Sequence, residues 1–215
     1  MKLVVAPLAV LFVISFPLNG EVNATNSDEH EVNFINPSNR VSTAHQSPQQ
    51  KLYYAYQAAQ NKILSKIVWN VDPNKQIDRI EVRIGEQMLY VYQNNVSVGS
   101  SPVSTAREGY VTPLGSYKIT DKKEQYFSSL YGEFADANGK VVDWSAVPTE
   151  TPPPGAHYVP SPMPFFLRLT DEGVGLHGGF LPGYPASHGC IRLPNSVAEN
   201  IFKQVSIGTQ VDIVQ

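Results

Sequence analysis

Residues 176–194, LHGGFLPGYPASHGCIRLP, hold the only cysteine of the chain, Cys190, and two of its five histidines, His177 and His188. The small Gly189 precedes the cysteine and a bulky isoleucine follows it. This pattern is typical of a nucleophile at a backbone corner, where amide N–H groups can also face a reacting carbonyl. The stretch therefore predicts acyl transfer on a thiol.

The segments around this stretch favour strands. In residues 77–84 and 87–93, β-branched and aromatic residues alternate with polar ones, and Gly85-Glu86 between them predicts a hairpin. Both faces of the second strand carry apolar residues, as in a sandwich. Further predicted strands are 165–169, 173–176 and 210–214. A short helix is predicted after the motif, where Ser196–Glu199 reads as a capping box.

Composition agrees with a mainly β protein of one globular domain with an appendage. The 215 residues include 17 Pro and 15 Gly, and only 16% are charged, which favours strands and turns over long surface helices. The formal net charge of −3 provides no basic field. We therefore expect no nucleic-acid partner.

The N-terminal residues predict export. Lys2 is followed by an apolar run over residues 3–18, shorter than the roughly 20 residues of a spanning helix, and then by small residues ending at Ala24. We assign 1–24 to a signal peptide and expect no stable membrane insertion. Polar residues 25–50 predict a disordered linker, because they carry too little apolar surface to fold alone.

The remaining chain is divided at the turn near Asp72. Apolar residues at helical spacing between Leu52 and Trp69 predict an amphipathic helix that packs on the domain, so we assign 51–75 to a helix and turn and 76–215 to the catalytic domain. An exported protein with one cysteine cannot form an internal disulfide. Cys190 is then a working thiol, an inert buried cysteine or half of an intermolecular bond.

Two segments before the motif have a different character. Thr112-Pro113-Leu114-Gly115-Ser116-Tyr117 predicts a turn that leads into a strand. Residues 121–164 are the least regular part, with Asn138-Gly139 as a hairpin turn and four aromatics that either line a substrate groove or cover the sheet: Tyr126, Phe127, Tyr131 and Tyr158. Long irregular segments of this kind are often a functional lid or wall.

The order His177, spacer, Ser187-His188-Gly189-Cys190 resembles the signature of the L,D-transpeptidase family (YkuD, also ErfK-YbiS-YcfS-YnhG) of peptidoglycan enzymes. The upstream Thr-Pro-x-Gly-x-Tyr segment is a second point of resemblance. The resemblance covers roughly residues 76–215 and implies a YkuD-like β-sandwich of mixed sheets. It also implies an exported enzyme of the periplasm or cell wall of a bacterium, with no cofactor.

A thiol needs a base or a field that lowers its pKa, and two histidines compete for that role. His188 is too close in sequence to Cys190 for a good hydrogen bond, whereas His177 can return through a loop rich in Gly and Pro. The resemblance also implies His177 as the base, held by a backbone carbonyl at Gly178. It further implies that Ser187 and His188 support the loop and that amides around Gly189 and Cys190 form the oxyanion hole.

Three residues are assigned to substrate binding. Arg192 can bind a stem carboxylate through its planar fork, or can form a structural ion pair. Tyr184 in the spacer and Phe165 in a preceding strand are also predicted to contact the substrate.

The reaction that the resemblance implies starts with attack of Cys190 on the third residue of a peptidoglycan stem peptide. D-Alanine leaves, and the thioester passes to the side-chain amine of another stem, which gives a 3-3 cross-link. Water as acceptor would make the enzyme an L,D-carboxypeptidase, and a protein lysine as acceptor would attach that protein to the wall. The expected state is a monomer.

Two hypotheses from other classes remain open. His177, His188 and Cys190 are ligand types suited to zinc, although the close spacing and the lack of a nearby carboxylate disfavour a zinc-binding protein. A wall-binding module without activity would keep the fold but not the intact set of residues.

Overall fold

The computed structural model describes residues 47–215, which form two helices and thirteen strands. The predicted signal peptide and residues 25–46 of the predicted linker lie outside the described residues. The elements are α1 Pro48–Leu64, β1 Val68–Trp69, β2 Arg79–Arg83, β3 Met88–Gln93, β4 Val96–Pro102, β5 Gly115–Lys118, β6 Asp121–Lys123, β7 Phe127–Asp136, β8 Val141–Ala146, β9 Ala156–Pro162, β10 Phe166–Arg168, β11 Gly175–Gly178, β12 Ile191–Leu193, α2 Asn195–Gln204 and β13 Gln210–Val214.

The first layer is a six-stranded sheet in the order β1-β4-β3-β2-β13-β5. The predicted hairpin is confirmed as β2 and β3, which pair antiparallel from Arg79 opposite Tyr92 to Arg83 opposite Met88. The last strand, β13, inserts between β2 and the edge strand β5 and runs parallel to β2. Parallel and antiparallel neighbours therefore occur in one sheet, as expected for mixed sheets.

The second layer is a four-stranded sheet in the order β12-β11-β10-β6, in which β11 and β12 are parallel. Leu176 and Ile191 are fully buried on its inner face and share one core with Ile80 and Val82 of the first layer. Burial of such aliphatic side chains contributes about 1.5–3 kcal/mol each. The mainly β sandwich of mixed sheets is confirmed.

Helix α2 completes this core with Val197, Ala198 and Ile201, all buried. It starts at Asn195, directly after Pro194 and two residues earlier than the predicted capping box implies, and no side chain caps it. The predicted capping box at Ser196 is therefore wrong, because Ser196 lies inside the first turn rather than before it.

The predicted irregular segment contains a third sheet, antiparallel, in the order β8-β7-β9. The turn at Asn138-Gly139 joins β7 to β8, and the Gly139 amide donates to the Asp136 carbonyl at 2.9 Å. Within the described part of the chain, none of the residues of this sheet belongs to the main core. The sheet is thus an addition to the sandwich rather than one of its two layers.

Helix α1 begins at Pro48, inside the predicted linker, and ends at Leu64. A capping box starts it: the Ser47 hydroxyl accepts from the Gln50 amide at 3.2 Å, and the Gln50 side chain accepts from the Ser47 amide at 2.9 Å. The predicted end at Trp69 is wrong, because Val68 and Trp69 pair with β4 instead.

Contacts of α1 with the domain are few. Gln60 donates to the Leu181 carbonyl at 3.2 Å, and the ring of Tyr56 stacks on Phe180 at 6.0 Å. The helix therefore touches the loop that follows β11, although it buries none of its residues. Among residues 47–215, no helix has the length and apolar character needed to cross a membrane.

Candidate active site

The parallel pairing of β11 and β12 brings the two ends of the motif together. His177 lies opposite Arg192, and Leu176 lies opposite Ile191. Because side chains alternate along a strand, Leu176 and Ile191 enter the core while His177 and Arg192 share the other face. If the register is extended by one residue before β12, Cys190 lies beside Gly175 and on the same face as His177.

His177 is buried and held in one tautomer. Its side chain is 6% exposed, and Nδ1 lies 2.8 Å from the Gly178 carbonyl oxygen. A carbonyl only accepts hydrogen bonds, so Nδ1 carries the proton and Nε2 keeps the lone pair of a base. Burial lowers the pKa of His177 to about 4, with a smaller contribution from Arg192. The imidazole is therefore neutral near pH 7.

Cys190 is partly exposed, as a nucleophile must be. Its thiol donates to the Gly173 carbonyl, with Sγ 3.6 Å from the oxygen. Burial raises the pKa of the thiol, while the Gly175 amide and the positive charges of Arg192 and Arg168 act in the opposite direction. The resting pair is therefore a neutral thiol and a neutral imidazole rather than a preformed ion pair.

The corner before Cys190 depends on Gly189. Its φ of +141° lies in the region that favours glycine, and an added Cβ would come within 3.2 Å of the Val111 carbonyl oxygen. The Ser187 hydroxyl closes the turn: it donates to the Cys190 carbonyl at 2.6 Å and accepts from the Gly189 amide at 3.1 Å. That amide was expected in the oxyanion hole but is bound to Ser187, because Ser side chains readily close such turns.

Thr112, from the second motif, holds the same corner from the other side. Its hydroxyl donates to the Gly189 carbonyl at 2.8 Å and accepts from the Ala106 amide at 3.0 Å. The side chain is buried. The Thr-Pro-x-Gly-x-Tyr segment is thus scaffold for the motif loop, as the sequence predicts, and makes a direct contact with it.

His188 is held by contacts with Arg107 and Tyr131. Its Nε2 lies 2.9 Å from Nη2 of Arg107, and its ring stacks on Tyr131 at 4.1 Å with the planes 5° apart. Arginine only donates, so Nε2 of His188 is an acceptor already in use. Burial, Arg107 and Arg192 lower the pKa of His188 to about 4. This environment fits support of the loop.

Arg192 carries a half-buried positive charge. Within residues 47–215, no carboxylate lies within 4.0 Å of its guanidinium, and burial lowers its pKa. The alternative of a structural ion pair is therefore not supported. A cation on the face of His177, without a carboxylate partner, is suited to an anionic ligand.

The other two predicted contact residues differ in their surroundings. Tyr184 is 62% exposed, and its backbone carbonyl accepts from the Ser104 hydroxyl at 2.8 Å. The Phe165 ring packs against Phe202 and the core, at a backbone φ of 58°. Their contact with substrate stays a prediction.

The proposed zinc ligands do not form a metal site. In the part of the chain that the structure describes, no three residues among His, Cys, Asp and Glu are placed to hold an ion. His188 is held by Arg107 and Tyr131 instead.

Two residues near the motif carried no signal in the sequence. Arg107 lies 81 positions before His188 and belongs to no motif, and Tyr131 was one of four aromatics with two equally open roles. The structure stacks Tyr131 on His188, while Tyr126 stacks on Phe166 at 4.5 Å. Tyr158 lies within the third sheet, beside Phe134, and Phe127 is exposed.

The model of the L,D-transpeptidase catalytic domain family, YkuD, matches residues 77–213. This match contains every motif residue described above. No curated protein matches the chain.

Several solved structures are similar to the chain at low identity. An L,D-transpeptidase from Mycobacterium smegmatis is 18% identical, with a TM-score of 0.48, over 64% of this chain and 58% of that one. L,D-transpeptidase 3 from Mycobacterium tuberculosis is 22% identical, with a TM-score of 0.48, over 64% and 60%. An L,D-transpeptidase from Xylanimonas cellulosilytica is 19% identical, with a TM-score of 0.47, over 65% and 61%. The matched region spans less than two thirds of each of these chains.

Proposed function

The chain belongs to the YkuD family of L,D-transpeptidase catalytic domains, and from this we propose that it is an exported peptidoglycan L,D-transpeptidase with Cys190 as nucleophile. The observation that carries the proposal is that the partly exposed Cys190, directly before β12, lies on the same face as the buried His177 of the neighbouring strand β11, whose imidazole has a fixed tautomer. Acyl transfer on a thiol needs this combination of access and base.

The first step is proton transfer from the thiol. Cys190 turns its S–H from the Gly173 carbonyl toward Nε2 of His177, and the ring takes the proton as the sulfur attacks. Because the pKa of the thiol is raised and that of the imidazole is lowered, the proton moves during the attack rather than before it. The Gly178 carbonyl stabilises the charged imidazolium.

The second step expels the leaving group. Sulfur bonds to the carbonyl carbon at the L-centre of the third stem residue, the C–N bond to D-alanine breaks, and His177 returns its proton to the leaving amine. The Cys190 amide is the candidate donor for the developing oxyanion, since the Gly189 amide is bound to Ser187. One such donor contributes about 2.7–4 kcal/mol in the transition state.

Resolution of the thioester follows the same route in reverse. The side-chain amine of a second stem gives a proton to His177 and bonds to the acyl carbon, and the thiol leaves. Arg192 is suited to bind a carboxylate of the stem peptide, because its charge has no carboxylate partner within the described residues. A 3-3 cross-link is the product that we propose, with trimming by water and attachment of a protein as the alternatives.

The test is covalent trapping of the nucleophile. The purified protein is incubated with a carbapenem and, separately, with muropeptides, and both are analysed by mass spectrometry. We expect one adduct on the wild type, none on Cys190→Ala and a strongly slowed reaction for His177→Ala. His157→Ala is a matched control, because His157 is an exposed histidine of β9.

The outcomes separate the parts of the proposal. An adduct that persists on Cys190→Ala would refute the nucleophile, and normal acylation of His177→Ala would refute the base. The muropeptide products distinguish a cross-linked dimer from a trimmed stem. Export is a part of the proposal with its own test, since the N-terminus of the protein recovered from the cell envelope should be Thr25 if cleavage follows Ala24.

A further inference from the structure

The third sheet, β8-β7-β9, has few attachments to the sandwich, and one group of contacts joins it to the catalytic loop. At its base, the Tyr126 ring stacks on Phe166 at 4.5 Å. At the other side, Tyr131 of β7 stacks on His188 of the motif, and the Ser145 hydroxyl of β8 accepts from Arg107 at 3.0 Å. Tyr131 therefore lies over a residue two positions before the nucleophile.

Arg107 contacts both the motif and the third sheet. Its backbone amide donates to the Ser187 carbonyl at 3.0 Å, which fixes its own loop to the motif. Its Nη2 donates to His188 on the motif and to Ser145 on the third sheet. One guanidinium group thus orients the imidazole that Tyr131 stacks on and also binds the neighbouring strand.

The geometry of these contacts suits an arginine. The two N–H groups of Nη2 lie in the fixed guanidinium plane and serve two acceptors, whereas the donors of a lysine ammonium rotate and share no such plane. The guanidinium carbon also lies 5.0 Å from the centroid of the Tyr110 ring. That ring packs edge-to-face with the His188 ring, with the two centroids 4.7 Å apart. Within residues 47–215, Arg107 forms no salt bridge, so its hydrogen bonds and ring contacts define its position.

We propose that Arg107 is a positioning residue that fastens the third sheet over the catalytic loop through His188 and Ser145. The four residues Arg107, Tyr131, Ser145 and His188 form this clasp. When the contacts of the clasp are formed, Tyr131 and His188 together form one side of the acyl-donor site beside Cys190. When they are lost, His177 and Cys190 still react, but the donor binds to a surface that is mobile. The catalytic part of this inference rests on the proposed function.

The first test is hydrogen exchange of the full protein, which does not depend on activity. We expect Arg107→Gln to speed exchange of amides in residues 127–162 by about tenfold, the factor that corresponds to loss of about 1.4 kcal/mol. Exchange in β2, β3 and β13 should not change. Arg83→Gln is the matched control, because Arg83 also stacks on a tyrosine, at 4.5 Å, but lies in β2. A uniform increase, or none in residues 127–162, would overturn the clasp.

The second test separates positioning from general loss of structure. For acylation by a muropeptide donor, we expect Arg107→Gln to raise KM about tenfold and to change kcat less than threefold, and Arg107→Lys to recover less than half of the loss. Ser145→Ala should have a smaller effect than Arg107→Gln. It should add nothing in the double variant, because both substitutions remove the same hydrogen bond between Arg107 and Ser145. Additive effects would overturn the proposal.

Two further results keep the outcomes distinct. If Arg107→Gln does not fold, Ser145→Ala and Tyr131→Leu carry both tests, and unchanged exchange in residues 127–162 in both variants would refute the clasp. If the wild type forms no acyl adduct, the proposed function fails while the exchange experiment still decides whether Arg107 fastens the third sheet.

Discussion

Removal of the Thr112 hydroxyl should destabilise the protein far more than a surface Thr→Val change. Thr112→Val keeps the shape of the side chain but leaves the Gly189 carbonyl and the Ala106 amide without their partner. Each buried unsatisfied group costs about 1–3 kcal/mol, and water can reach the half-buried Ala106. We therefore expect a loss of about 2–4 kcal/mol, out of the 5–15 kcal/mol typical of a domain.

The assay is urea unfolding followed by circular dichroism, with thermal unfolding as a second measure. The midpoint should fall at constant m-value, and Tm should fall by about 5–15 °C. Thr120→Val is the matched control, because the Thr120 hydroxyl is exposed and its hydrogen bond to the Arg168 carbonyl is long, at 3.4 Å. That control should stay within about 0.5 kcal/mol of the wild type.

Thr112→Ser adds a chemical control, because it keeps the hydroxyl and removes only a methyl group. It should retain most of the stability that Thr112→Val loses. If Thr112→Val and Thr120→Val unfold at the same urea concentration, the hydroxyl does not hold the motif loop and the reasoning is refuted.

Three further predictions concern the site and the helix behind it. The pKa of His177 is lowered from 6.5 to about 4, so its imidazole is neutral at any pH above that value. Carbapenem acylation should therefore persist down to about pH 5 and halve near pH 4, and a midpoint near 6.5 would contradict this. Gly189→Ala should cost about 1–3 kcal/mol in urea unfolding because of its positive φ. Gly85→Ala should cost little, because the added Cβ makes only an ordinary contact of 3.6 Å with the Gln215 backbone and φ is not positive; equal losses would refute the strain. Lys122→Met should lower the unfolding free energy by about 1–2 kcal/mol, since Lys122 donates to the Phe202 and Val205 carbonyls at the end of α2, whereas exposed Lys123→Met should not.

The sequence was most informative where the signal is local. The hairpin of β2 and β3 follows from alternation over a few residues, and the family resemblance of the motif implied the carbonyl one position away that holds His177. Glycine at 189 marks a backbone conformation that other residues rarely adopt. Each of these features is encoded by residues within a short segment, so a single sequence suffices to predict it.

Features that depend on distant partners could not be predicted in this way. Strand β7 has irregular register with both neighbours, which breaks the alternation that would have indicated a sheet in residues 121–164. The start of α1 was missed because its capping residues, Ser47 and Gln50, resemble the polar linker before them. Arg107 was missed because its partner His188 is remote in sequence, and an isolated arginine has no pattern of its own.

The position of β13 between β2 and β5 has a consequence for how the protein folds. Gln210 pairs with Arg79, 131 positions earlier, and without β13 the strands β2 and β5 have no common neighbour. Pairing over such a separation costs loop-closure entropy before any contact compensates for it. We therefore expect the core to close late, in the slow range of milliseconds to seconds for β-rich domains. Until then, the chain has an incomplete sheet with open edges, the state in which β-rich proteins are most exposed to aggregation.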